Sequence, residues 1–299
     1  MRCSHAAPLS SRPLGVLEGR KLIEKPISEM PDALLAHASQ RTGWYSTTLI
    51  KVSPPNDPLG EVIQAGSGTF VRLGDVFGVL TAHHVAELFD GSWHLGIVLR
   101  PEVHRHAIMP ELFDVVPIAR GEIDSEGPDI SFIRIYPPHV GVIRAYKSFY
   151  NLEAYRNDML SSPPATERGA WFIWGVPSEK TSWDEPEGGF EAVIFFQGDC
   201  GATAVDRQFN VGQFDYLDMA VEYTQATDTV RSFKGYSGGG IWHALLALNA
   251  DGGIDDYEYI LSGVTFYQSA VENDFRTIRC HGPNTIYEIA YNAIRSKYA

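Results

Sequence analysis

Cysteine is scarce in this 299-residue chain. The three present, Cys3, Cys200 and Cys280, are spaced neither as a disulfide framework nor as a zinc site. A reducing compartment, and so a cytoplasmic protein, is the simplest reading, with Cys200 and Cys280 as small buried apolar residues. Basic charge is also short: 24 Lys and Arg stand against 37 Asp and Glu, a formal charge of −13. No basic run or basic–aromatic stripe offsets that balance. It argues against a nucleic-acid partner, because phosphate recognition needs clustered cations. Long apolar runs are missing too, and none approaches the ~20 residues of a membrane helix, so no membrane partner is expected. The first fifteen residues hold Arg2, His5 and two prolines but no apolar core, so they do not read as a secretory signal. What the chain does have is 44% hydrophobic residues, enough to argue against global disorder.

From about Trp44 onward the texture is one of short apolar runs separated by Gly, Pro, Asn and Asp. Strands are expected over 61–73, 76–82, 129–135, 170–176, 190–196, 217–223 and 259–267, which are rich in Val, Ile, Phe, Tyr and Thr. They do not alternate with long helical patterns, so a parallel α/β sheet is disfavoured and an antiparallel all-β barrel or sandwich pair is expected. A helix is expected at the C-terminus, opened by a T-x-x-E capping box at Thr285 and Glu288, with Ile286, Ile289, Ala290 and Ile294 at helical spacing. Residues 1–40 read as an extension with one short helix over 32–37, and a seam is expected near 145–168.

Three segments carry chemistry. Leu80-Thr81-Ala82-His83-His84-Val85 ends a strand, Pro128-Asp129-Ile130-Ser131-Phe132 opens one, and Gly235-Tyr236-Ser237-Gly238-Gly239 is a glycine-rich loop around one serine. A serine hydroxyl is a weak nucleophile until an adjacent base takes its proton, and that base needs a third group to fix its tautomer. Histidine suits the base role and a buried carboxylate the orienting role. Glycines beside the serine let the backbone adopt conformations closed to other residues, so that the amides of Gly235 and Ser237 can point at one developing oxyanion. Either His83 or His84 could be the base, but strand alternation puts them on opposite sides.

These segments resemble the trypsin/chymotrypsin-like serine peptidases. Thr81-Ala82-His83-His84-Val85 matches the family's T-A-A-H-C with His84 at the catalytic place. Asp129-Ile130-Ser131-Phe132 matches D-I-A-L, and Gly235-Tyr236-Ser237-Gly238-Gly239 matches G-D-S-G-G. The order His, Asp, Ser is also the family's. The resemblance covers about residues 60–299. It implies two antiparallel β-barrels, the first over 41–150 carrying His84 and Asp129 and the second over 151–299 carrying Ser237 and the final helix. It further implies a serine endopeptidase acting on proteins or peptides through an acyl-enzyme, with Gly235 and Ser237 as oxyanion hole and no cofactor. The acid that precedes the serine in the family is Tyr236 here, and the cysteine that follows the histidine is Val85. Zymogen-type activation and that disulfide are therefore not expected, and an intracellular bacterial- or viral-style member is. By the same resemblance Arg231 lies near the base of the primary specificity pocket. Phe266 and Tyr267 lie on its lining strand, and His281 lies on a further pocket segment. Arg231 and His281 together would favour an acidic side chain at the cleaved position.

Two other functions fit parts of the pattern. Gly235-Tyr236-Ser237-Gly238-Gly239 also satisfies the G-x-S-x-G elbow of α/β-hydrolases, with His281 as base and Asp255 or Asp274 as orienting acid. A catalytically silent, protease-like binding or scaffold module is the other, and the N-terminal extension could dock a protein partner. His104 and His106 form an H-x-H pair with His94 nearby. With no third ligand at metal spacing they read as exposed loop histidines, and no metal site is expected.

Overall fold

The computed structural model describes residues 32–54, 62–89, 91, 93–100, 104–184, 193–196, 198–222, 232–248, 254–272 and 274–298. Helix α1 (Asp32–Gly43) opens it and continues six residues past the short helix expected over 32–37. Strands β1 (Ser46–Val52), β2 (Val62–Leu73), β3 (Val76–Thr81), β4 (His94–Arg100), β5 (His104–Ile108), β6 (Phe113–Arg120) and β7 (Asp129–Ile135) follow. A short helix α2 (His83–Ala86) sits directly after β3. Helix α3 (Pro137–Arg144), the two-residue strand β8 (Tyr150–Asn151) and helix α4 (Leu152–Ser161) fill the expected seam. The second half holds β9 (Ala170–Gly175), β10 (Thr181–Asp184), β11 (Val193–Phe196), β12 (Asp199–Val211), β13 (Phe214–Glu222), β14 (Gly240–Leu248), β15 (Ile254–Gln268) and β16 (Phe275–His281). A π-helical turn (Thr285–Ala290) leads into α5 (Tyr291–Tyr298). No helix among the described residues is long and apolar enough to cross a membrane.

The protein is mostly β. Strands β12-β13-β16-β15-β14-β9 form one closed antiparallel barrel, and β10 pairs with β11 beside it. The first half forms an open sheet, β5-β4-β1-β2-β3-β7-β6, with β8 added parallel to β2. The expectation of two closed barrels is thus met in one half only, since β5 and β6 are the two ends of the first sheet among the described residues. A local reason is visible in β6. Pro117 offers no N–H to a further neighbour, and the ladder to β7 shifts register beside it. A proline-bearing strand suits an edge.

One apolar cluster joins the two halves. Ile50, Leu80 and Phe132 from the sheet pack with Phe172, Trp242 and Leu261 from the barrel and with Ile286, Ala290 and Ile294 from the C-terminal segment. Tyr45 and Tyr150 each lie 5.5 Å from the ring of Trp242. Burying a side chain of this size contributes about 1.5–3 kcal/mol, so the contact between halves is a principal stabilising element.

The C-terminal helix is capped otherwise than expected. Asp215, at the start of β13, accepts the N–H groups of Asn284 and Thr285 and the Thr285 hydroxyl, at 2.9, 2.7 and 2.7 Å. Glu288 turns away to Arg156 and Asn292. The capping box read at Thr285 and Glu288 therefore does not form, because a remote carboxylate already satisfies the first turn's donors.

Candidate active site

Strand register builds the first half of the site. Strands β3 and β7 pair antiparallel with Thr81 opposite Ser131, so the residues just past that pair, His84 on α2 and Asp129 at the head of β7, meet. Asp129 Oδ1 accepts the His84 amide at 3.0 Å, and Oδ2 accepts His84 Nδ1 at 2.6 Å. This pairing assigns the proton to Nδ1 and leaves Nε2 as the free base nitrogen. The ring is about one-third exposed while the carboxylate is 1% exposed. His83, by contrast, turns its Nδ1 to Ser131 Oγ at 2.7 Å, so of the two adjacent histidines His84 is the one joined to the carboxylate.

Two further residues hold Asp129. The pairing of β6 with β7 sets Arg120 opposite Asp129, and its Nη1 donates to Oδ2 at 3.0 Å. Arg120 also reaches Asp124. Behind the strand, the Asp129 N–H donates to His281 Nε2 at 2.9 Å. Burial alone would raise the Asp129 carboxyl. The hydrogen bonds and charge of His84, with the Arg120 guanidinium, outweigh burial and hold it below the usual carboxylate range. His281 is fully buried, and burial pushes its imidazole down to about 4. It stacks on Phe266, with ring centroids 4.8 Å apart.

The serine half comes from the barrel. In the loop before β14, Gly235 and Gly238 adopt φ of +96° and +85°, the left-handed region in which glycine is unstrained. Gly238 also has no room for a side chain. A Cβ there would lie 2.0 Å from Thr81 Oγ1 and 2.1 Å from the Ser67 carbonyl. That contact presses the Ser237 loop against the end of β3, next to His84. Ser67 on β2 fastens the loop further. Its N–H donates to the Ser237 carbonyl at 2.8 Å and its hydroxyl to the Gly235 carbonyl at 2.7 Å, while that hydroxyl accepts Val176 N–H at 3.0 Å. From β15, the Thr265 hydroxyl donates to the Tyr236 carbonyl at 2.6 Å, and the Thr265 carbonyl accepts Gly238 N–H at 2.7 Å. Tyr236 is buried against Phe233, with ring centroids 4.6 Å apart, and against Gly175. An aromatic anchor thus fills the place of the family's acid.

His84, Asp129 and Ser237 line one cleft of about 580 Å³ with Arg120, Phe233, Tyr236, Phe266 and Tyr267. Among the described residues no hydrogen bond joins Ser237 Oγ to His84, and the N–H groups of Gly235 and Ser237 donate to no described group. Such contacts are often long in unliganded sites and tighten around substrate.

The remaining expected positions divide. Phe266 and Tyr267 line the cleft. His281 does not line it, because the ring is consumed behind Asp129 in the barrel interior; its assignment as a pocket residue is corrected here. Its role as base for Ser237 also fails, since its Nε2 lone pair is taken by the Asp129 amide. Asp274 is exposed with φ +65°, and the serine loop runs into strand β14 rather than a helix, so the α/β-hydrolase arrangement is absent among the described residues. Arg231, residues 1–31 and the side chain of Asp255 lie outside the described residues. His106 Nε2 meets His139 Nδ1 at 2.8 Å, and among the described residues no three His, Cys, Asp or Glu side chains gather as metal ligands. Cys280 is buried and free, and burial pushes its thiol up. The sequence reading overlooked Arg120, Ser67, Thr265 and the buried role of His281. No protein-family model matches this chain, and no curated protein matches it.

Proposed function

We propose that this chain is a serine endopeptidase of the two-lobed trypsin/chymotrypsin-like kind, hydrolysing peptide bonds in protein or peptide substrates. The observation that carries the proposal is the hydrogen-bonded His84–Asp129 pair facing the same cleft as Ser237, whose loop leaves two amides without protein acceptors. In the proposed cycle Ser237 Oγ attacks the scissile carbonyl carbon and its proton passes to His84 Nε2. The carbonyl π pair moves onto oxygen, where the Gly235 and Ser237 N–H groups bind the oxyanion. Asp129 stabilises the imidazolium that results. Collapse breaks the C–N bond, and His84 returns the proton to the leaving amine. Water then repeats the sequence on the acyl-enzyme, releasing the acid and restoring the serine. Every group used belongs to this chain.

The cleft also bears on the side chain accepted at the cleaved position. With His281 buried behind Asp129, one of the two cations that favoured an acidic side chain is withdrawn. The second, Arg231, lies outside the described residues. Phe233, Tyr236 and Phe266 wall the cleft beside Ser237, so an apolar side chain fits better.

The test is turnover of unfolded protein and of a fluorogenic peptide library by wild type and by Ser237→Ala. Wild type should cleave, and the variant should lose about 10³–10⁶-fold in kcat. A wild-type protein that is folded yet inert, or a variant that retains turnover, would contradict the proposal. Cleavage confined to sites after Glu or Asp would restore the acidic preference.

A further inference from the structure

A second cavity, of about 290 Å³, opens between α1, β1, β4 and β9 and shares no lining residue with the Ser237 cleft. Its walls are apolar and aromatic, with Trp44, Val98, Tyr146 and Trp174 prominent. Its charged residues are both cations, Lys147 and Arg100, and no Asp or Glu among the described residues lines it. That composition runs against the chain as a whole, where acidic residues outnumber basic ones.

The donors converge at one corner. Lys147 Nζ lies 2.8 Å from the Gly43 carbonyl at the end of α1, and Trp174 Nε1 lies 3.5 Å from where a Cβ on Gly43 would stand. Among the described residues the Trp174 N–H donates to no group, and the Lys147 ammonium has no carboxylate partner. The Gly43 carbonyl takes one of the ammonium protons and leaves the others unclaimed. The Arg100 guanidinium stands over the Tyr146 ring at 5.0 Å, which holds a second positive charge at the cavity. A cation removed from water without a counter-ion is costly, and here burial draws the Lys147 ammonium down to about 8. An anion in this corner would offset that cost. The surrounding rings would take up an apolar body of modest size.

We propose that this cavity binds a small carboxylate carrying an apolar or aromatic body, its carboxylate on Lys147 and the Trp174 N–H and its body against Trp44 and Tyr146. The site does not depend on the peptidase proposal, and Ser237→Ala should bind like wild type.

The probe is 4-phenylbutyrate, compared with its neutral isostere 4-phenylbutanamide, titrated by calorimetry and by tryptophan fluorescence. The acid should bind wild type at least about tenfold tighter than the amide, the difference a charge-assisted contact supplies. Lys147→Met should reduce that preference to less than about threefold, with unchanged far-UV circular dichroism. Arg100→Met should reduce it less, and it carries the test if Lys147→Met does not fold. Equal affinities for acid and amide would overturn the proposal. So would no binding of either at millimolar concentration, or a preference untouched by both substitutions.

Discussion

The two halves of the site are held by different means. His84 and Asp129 are fixed within a single sheet: β3 pairs with β7, β7 with β6, and the register alone brings the histidine, the carboxylate and Arg120 together. Ser237 belongs to the closed barrel, and its place beside His84 depends on contacts that cross between the halves. Those contacts are Ser67 to the Gly235 and Ser237 carbonyls and Gly238 against Thr81. The acid–base half therefore inherits the rigidity of a ladder, whereas the nucleophile half is only as well placed as the packing between sheet and barrel. Disturbing the first should change chemistry with little change in fold. Disturbing the second should change both.

The sharpest break is Asp129→Asn. It removes the acceptor that selects the His84 tautomer while keeping the shape. Turnover should fall about 10⁴-fold, as in the serine peptidases the site resembles, with the melting temperature little changed. Peptide hydrolysis and a thermal melt on the same preparation check both parts. Gly238→Ala attacks the other half. A methyl group 2.0 Å from Thr81 Oγ1 at positive φ must push the loop away, costing about 1–3 kcal/mol of stability and most of the turnover. Retained activity would show that the Thr81 contact does not position Ser237. Ser67→Ala is milder. It strands the Val176 N–H and frees the Gly235 carbonyl, costing about 1–3 kcal/mol in chemical denaturation. Loss of the Gly235 anchor should also lower kcat by about tenfold to a hundredfold with KM nearly constant.

The smallest effect at neutral pH concerns His281 and His243. Both are buried and neutral, each drawn down by burial to about 4. Between about pH 6.5 and 4 the unfolded chain binds protons that the folded one refuses, so stability is full above 6.5 and falls as pH drops towards 4. Each histidine should remove up to roughly 3 kcal/mol by pH 4. Asp129, with its lowered carboxyl, adds stability above the ordinary carboxylate value, lost only as pH falls further. Denaturant midpoints flat from pH 7 down to pH 4 would contradict the neutral, buried state of these rings.

The parts legible in the sequence were those with local signatures. His84, Asp129 and Ser237 each sit in a short segment whose residue types already state a chemical role, and β2, β3, β7 and β9 alternate or run apolar strongly enough to read as strands. The parts that escaped are products of register and remote packing. Nothing near Arg120 announces that it will face Asp129, since the pairing of β6 with β7 decides that. Nothing near His281 or Asp215 says that one will hold the triad carboxylate's amide and the other will cap the last helix. Strand β14, Gly-Ile-Trp-His-Ala-Leu-Leu-Ala-Leu, is rich in strong helix formers, and pairing with β9 and β15 overrides that propensity. In β12 the polar stretch Asp206-Arg207-Gln208 hides the alternation. Closure of one sheet and not the other was equally invisible, because it depends on whether edge strands meet.

The central claim is that the sheet-borne His84–Asp129 pair activates the barrel-borne Ser237. Covalent labelling by a fluorophosphonate, read by mass spectrometry of the digested protein, tests it most directly. One adduct on Ser237 in wild type, formed orders of magnitude more slowly in His84→Ala and unaffected in His83→Ala, is the predicted result. No adduct on folded wild type, or one whose rate ignores His84, would contradict it.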